Sequence, residues 1–178
     1  MAASRLNPTL FDKLVADLEI EGLREADNGR RMADLGGSVM RFYTVPRIER
    51  FNEAALRTTV RRELSWLLNT TNLGAVQDLS PYPEVRTSVL NYGVPDLAGK
   101  TLTKRVIQGR AREIRDAIRA FEPRLDPKRV EVEALTGFEK ENAVTYVIRG
   151  DITAAVQAMP VEFKTDIEVD TASVTVRE

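Results

Sequence analysis

The sequence predicts an α+β fold in which N-terminal helices pack on one face of a mostly antiparallel C-terminal sheet. Three observations point there. Apolar residues recur at helical spacing from Phe51 and again up to Phe121. Pro123 then forbids further helix. From Arg129 onward the apolar period shortens from about 3.6 residues to about 2.

Taken in order, Asn7 and Pro8 mark a helix start, and Leu10, Leu14, Val15 and Leu18 give residues 8–18 one apolar face. Residues 19–50 contain Gly22, Gly29, Gly36 and Gly37 among mixed charges, with no sustained period, and read as a long loop or adaptable arm. Leu56, Val60, Leu64 and Leu67 then line an amphipathic helix that ends near LLNTTN, with Arg57, Arg61 and Arg62 on its other faces. LSPYP is turn chemistry, and VRTSVLNYG reads as a short β-like run closed by Gly93 and Pro95. A second helix begins near Thr101 or Thr103 and reaches Phe121, carrying Val106, Ile107, Ile114, Ala117, Ile118 and Phe121 as its stripe.

Four strands follow. RVEVEAL and AVTYVIRGDITAAV alternate, with Gly150 predicting a bend or bulge in the second. VEFKTDIEVD alternates most cleanly, placing Val161, Phe163, Thr165, Ile167 and Val169 on one face and Glu162, Lys164, Asp166 and Glu168 on the other. SVTVRE closes the sheet through Val174 and Val176.

Composition narrows the chemistry. The 178 residues contain no cysteine and no histidine, which removes thiolate nucleophiles, Ser-His-Asp arrangements, disulfides, and metal sites built on sulfur or imidazole. No phosphate-cradling glycine loop and no calcium loop is present, so no cofactor is expected. With 26 Lys+Arg against 27 Asp+Glu the net charge is -1, too small to gather polyanions at long range. No apolar run reaches signal-peptide or membrane-spanning length, and the expected compartment is the cytoplasm.

Two chemical readings are open at this point. Arg105, Arg112, Arg115 and Arg119 form a stripe that could meet nucleic-acid phosphates, although Glu113 and Asp116 among them favour an ordinary solvated helix face. Glu63, Glu113 and Glu122 are candidates for a paired-carboxylate hydrolase of peptidoglycan, but their spacing places no two of them across a cleft. A third feature is the stretch FEPRL: Pro123 stops the helix and Arg124 suits its negative end, whereas Glu122 there is unfavourable by a few tenths of a kcal/mol unless compensated. Either Arg124 folds back on Glu122, or both meet a complementary charged pair on another chain. As an exposed docking pair, their replacement by alanine leaves stability nearly unchanged and abolishes binding.

RRELSWLLNTTNL, SVLNYGVPDLAGKT and IRAFEPRL, in that order ahead of a strand-rich tail, resemble the TssE family of type VI secretion baseplate subunits. That family is itself similar to phage tail baseplate wedge proteins, some of them labelled lysozyme-like. The resemblance covers residues 51–177, and LFDKL at residues 10–14 is also familiar, which divides the chain into an N-terminal helix and variable arm over 1–50 and a baseplate-type α+β domain over 51–178. It implies a structural, non-enzymatic protein with no cofactor. Its implied partners are the wedge subunits TssF and TssG, the sheath subunits TssB and TssC, and other baseplate proteins such as TssK, with no nucleic acid and no membrane insertion. The family's Glu-Pro-Arg motif, which contacts the wedge, corresponds to Glu122, Pro123 and Arg124. An edge strand near the C-terminus is expected to accept strands from the sheath.

Overall fold

The computed structural model describes residues 53–96, 103–135, 143–153, 158–168 and 171–178. The helix expected over residues 8–18 and the arm over 19–50 lie outside them. The chain divides into two compact units after Thr59. In the first, Glu53–Thr59 forms the opening turns of helix α1 (Glu53–Leu68), with Ala55 and Leu56 buried and the Thr59 hydroxyl donating to the Leu56 carbonyl at 2.9 Å.

The second unit, Val60–Glu178, contains the rest of the fold. The predicted stripe of α1 holds there: Val60, Leu64, Leu67 and Leu68 are all buried. Next come a 3₁₀ turn η1 (Leu73–Ala75), a one-turn helix α2 (Pro83–Arg86) and a second 3₁₀ turn η2 (Val89–Asn91). VRTSVLNYG is therefore not a β-like run, and local capping explains why. Pro83 stands in the first turn of α2, and the Ser88 hydroxyl accepts from the Leu90 amide at 3.3 Å to cap η2. With Val89 at 83% and Leu90 at 69% exposure, neither side chain gains the burial that makes apolar residues prefer a sheet.

A two-point staple ties this segment back to the end of α1. The Val94 amide donates to the Thr70 carbonyl at 2.9 Å and the Asn72 amide to the Val94 carbonyl at 3.2 Å. Gly93 makes the approach possible. Its φ is +116°, and a Cβ there would lie 2.2 Å from the Thr70 carbonyl oxygen. Gly93→Ala is expected to cost about 2–3 kcal/mol, checked by chemical denaturation.

Helix α3 (Lys104–Phe121) opens on Thr103, whose hydroxyl accepts from the Val106 amide at 3.3 Å. It buries Ala111, Ile114, Ala117 and Ile118. Gly109 lies mid-helix, and a Cβ on it would meet nothing within 4 Å. Gly109→Ala should raise the unfolding free energy by about 0.5–1 kcal/mol, because it removes backbone freedom from the unfolded chain without a clash.

The sheet has the order β1-β2-β3-β4, antiparallel throughout, with β1 at Glu131–Ala134, β2 at Ala143–Ile152, β3 at Met159–Glu168 and β4 at Val174–Arg177. Its continuity corrects the reading of Gly150. The β2–β3 ladder passes through Gly150↔Val161 without a bulge, and a Cβ on Gly150 would come within 3.6 Å of Leu125 and 3.7 Å of Val130. Gly150 is an ordinary in-register member of the ladder, and those distances are normal contact distances that a methyl group would satisfy.

One face of the sheet carries Val144, Tyr146, Ile148 and Ile152 beside Val161, Phe163 and Ile167, all buried. Helix α3 packs on it, with the Tyr146 hydroxyl donating to the Ile107 carbonyl at 3.3 Å. Burial pushes the Tyr146 hydroxyl pKa up to about 12.

On the opposite face Glu162, Lys164 and Glu168 are exposed as the alternation predicts, but Asp166 is buried. Register explains the exception. Thr145 lies directly across from Asp166 and donates to it at 2.8 Å, and Arg177 on β4 pairs with its other oxygen. Ala143 and Val147 are buried on that face too.

Candidate functional site

The stretch FEPRL forms the turn that carries the chain from α3 into the sheet. The Glu122 amide still donates to the Ile118 carbonyl at 2.9 Å, completing the last helical turn, and Pro123 prevents another. Arg124 then folds back on Glu122. Its Nε donates to Oε1 at 2.7 Å, its Nη2 donates to Oε2 at 2.7 Å, and its own amide reaches Oε1 at 3.2 Å. The guanidinium thus offsets the carboxylate at the negative end of the helix dipole.

Of the two possibilities open from sequence, folding back is the one the structure contains. The pair is buried, with 7% of the Arg124 side chain and 4% of the Glu122 side chain exposed, while Pro123 between them faces solvent. The turn is also pinned from below. The Arg124 carbonyl accepts from the Thr153 amide at 2.9 Å, the Asp126 amide donates to the Asp151 carbonyl at 2.9 Å, and Leu125 forms an isolated bridge with Ile152. Arg124, Leu125 and Asp126 are therefore fixed relative to the end of β2.

Sequence reasoning did not foresee what lies against this turn. Tyr92, from the SVLNYG stretch, packs its ring edge-on to Phe121 at 5.4 Å between centroids. Burial raises the Tyr92 hydroxyl pKa, and the nearby carboxylates of Glu63 and Glu122 raise it further. Two sequence blocks that are far apart along the chain thus meet at the C-terminal end of α3. The only hint in the sequence was an aromatic preceding Gly93, whose forced backbone geometry fixes where that aromatic points.

Beside them runs a groove of about 390 Å³ between α3 and the connecting segment, lined by Asn72, Arg86, Gly93, Glu113, Asp116 and Phe121 among others. Arg110 lies close to it on α3, buried, donating to the Pro95 carbonyl and 3.6 Å from Glu113. Burial lowers its pKa, and Glu113 opposes that shift.

The three candidate carboxylates each contact an arginine. Glu63 meets Arg62 at 2.8 Å, Glu113 meets Arg110 at 3.6 Å and Glu122 meets Arg124 at 2.7 Å. Glu63 and Glu122 flank Tyr92, while Glu113 lies a little over two turns earlier on α3. Among the described residues no group of carboxylates is arranged to hold a metal ion. The arginine stripe is dispersed in role as well. Arg115 contacts Asp116 at 3.3 Å and Arg119 reaches the Val130 carbonyl at 3.4 Å, whereas Arg105 and Arg112 extend from exposed positions.

No helix among the described residues is long and apolar enough to cross a membrane. None of the curated proteins compared matches the sequence. The family model described as baseplate wedge protein gp25 matches residues 54–160, more than half of the 178. This span includes all but the first residue of α1, the connecting segment with Tyr92, all of α3, the Glu122–Arg124 turn and the first strands of the sheet. The chain belongs to the gp25 baseplate wedge family, structural components of phage-tail-like baseplates.

Proposed function

We propose that the chain is the TssE-type subunit of a type VI secretion baseplate. In this role it binds the wedge subunits TssF and TssG through the Glu122–Arg124 turn and provides the sheet on which a TssB–TssC sheath begins to polymerise. TssK is among its neighbours in the assembly. The protein is cytoplasmic, in a baseplate docked at the membrane, and catalyses no reaction. The observation that supports this most is the meeting of the Tyr92 stretch with the end of α3, where the Phe121 ring adjoins the locked Glu122–Arg124 pair. SVLNYGVPDLAG is the block that most resembles the secretion branch, and here its aromatic buttresses the residues that correspond to the wedge-binding motif.

A buried pair changes how the triplet meets the wedge. Instead of offering two free charges, Glu122 and Arg124 hold the turn rigid and present Pro123, its exposed member, at a fixed position. Rigidity of this kind lowers the entropy lost on docking. Pro123→Asp tests the reading. It should leave the thermal midpoint nearly unchanged and abolish co-purification with TssF and TssG; undiminished wedge binding by the folded variant would count against the turn as the wedge contact.

A further inference from the structure

The two edges of the sheet differ in how much unpaired main chain they offer, and the difference follows from the ladder geometry. In an antiparallel pair, residues alternate between directing their amide and carbonyl groups at the partner strand and directing them away. The Leu135 amide donates to the Thr145 carbonyl at 2.8 Å, and in the β1–β2 register this makes the odd-numbered residues of β1 the inward-bonded ones. Val132 and Ala134 therefore turn both of their main-chain groups outward, and neither makes an outward hydrogen bond among the described residues. Arg119 bonds the Val130 carbonyl at 3.4 Å and so marks where this open run begins.

The other edge is interrupted at Val174. The Glu168 amide donates to the Ser173 carbonyl at 3.0 Å, which in the β3–β4 register turns Val174 and Val176 outward. Asn69, just beyond α1, takes both groups of Val174: its Nδ2 donates to the carbonyl at 2.9 Å and its Oδ1 accepts from the amide at 3.0 Å. The side-chain amide stands where a neighbouring strand's peptide would, and Val176 is the outward residue of β4 with no such bond among the described residues. Past the end of β4, the same parity turns Pro160 and Glu162 of β3 outward, and Pro160 has no N–H to offer.

We propose that the strand accepted by this sheet adds to the outer edge of β1 and not to β4, and that Asn69 protects β4 against that pairing. The inference rests on the reading of the protein as a sheath-nucleating subunit, and the occupant is an extended segment of a sheath subunit. Charge on β1 specifies its chemistry. Glu131 and Glu133 point to the face away from α3, both exposed; Glu133 meets Arg149 at 3.0 Å, whereas Glu131 has no ion pair among the described residues. The incoming strand bonds Val132 and Ala134 through its main chain and places basic side chains beside the two glutamates.

Two proline substitutions separate the edges, because proline is tolerated where the lost N–H faces outward. Each variant is compared with the unaltered protein for sheath nucleation by purified TssB–TssC, with thermal unfolding reporting the fold. Ala134→Pro should reduce nucleation by about tenfold or more, and Val176→Pro should leave it unchanged. Blockage by Val176→Pro with none from Ala134→Pro would overturn the assignment to β1. Unchanged nucleation in both would remove strand acceptance itself, a distinct failure. Should Ala134→Pro unfold, Glu131→Lys at an exposed position replaces it: nucleation several-fold weaker at low salt supports the β1 edge, and no change overturns it.

Discussion

Glu122→Ala is expected to lower the unfolding free energy by about 3–5 kcal/mol, the usual consequence of removing one partner from a buried ion pair. For a chain of this size that is a fall in thermal midpoint on the order of 10 °C. The magnitude follows from geometry: the carboxylate accepts three bonds from Arg124, and the guanidinium that remains is 7% exposed. This corrects the expectation that alanine at these positions spares the fold, which assumed an exposed pair. The double variant Glu122→Leu/Arg124→Met should recover most of the loss, since apolar side chains of similar volume often replace a buried ion pair at little cost. Differential scanning calorimetry of both variants checks the pair. A Glu122→Ala protein as stable as the parent would mean that the carboxylate and guanidinium are solvated instead of locked.

The other large effect belongs to the sheet. Phe163→Ala should cost about 3–5 kcal/mol, because a wholly buried aromatic leaves a cavity that its surroundings fill only in part. Phe163 is 0% exposed, lies across from Ile148 in the β2–β3 ladder, and shares the α3-facing side of the sheet with Tyr146. Chemical denaturation gives the value. Phe163→Leu, which keeps more of the volume, should lose clearly less, and equal losses for the two would show that cavity formation is not what the site resists. Under the proposed role as a sheath platform, strand addition at an edge would transmit load into this central pair of strands.

Much of this architecture could be read from the sequence, wherever one local rule acted alone. Helix α3 starts at a threonine cap and stops before Pro123, and the strands follow the period-2 alternation that begins after Arg129. What could not be read depended on residues distant in sequence. Val85, Val89 and Leu90 look like a strand, but Pro83 and Ser88 close short helical turns around them, and Val89 and Leu90 stay exposed. Gly150 looks like a bulge until the ladder is seen to run through Gly150↔Val161 without interruption.

The candidate site divides in the same way. Glu122, Pro123 and Arg124 were legible as a triplet, and the fold-back of Arg124 was one of two readings of it. The burial of the pair was not, nor was Tyr92 against Phe121, because both depend on how the connecting segment returns to α3. Asn69 gives no sign in sequence that it bonds Val174, since only the tertiary fold brings the end of α1 to β4.

The central claim is that this protein acts by presenting a fixed turn and an open strand edge within a large assembly, and its most direct measurement is sheath formation in cells that lack it. Fluorescently tagged TssB, imaged in a deletion strain and in the same strain complemented with the unaltered chain, should show extended sheaths only after complementation. Full-length sheaths at the parental frequency in the deletion strain would contradict the account.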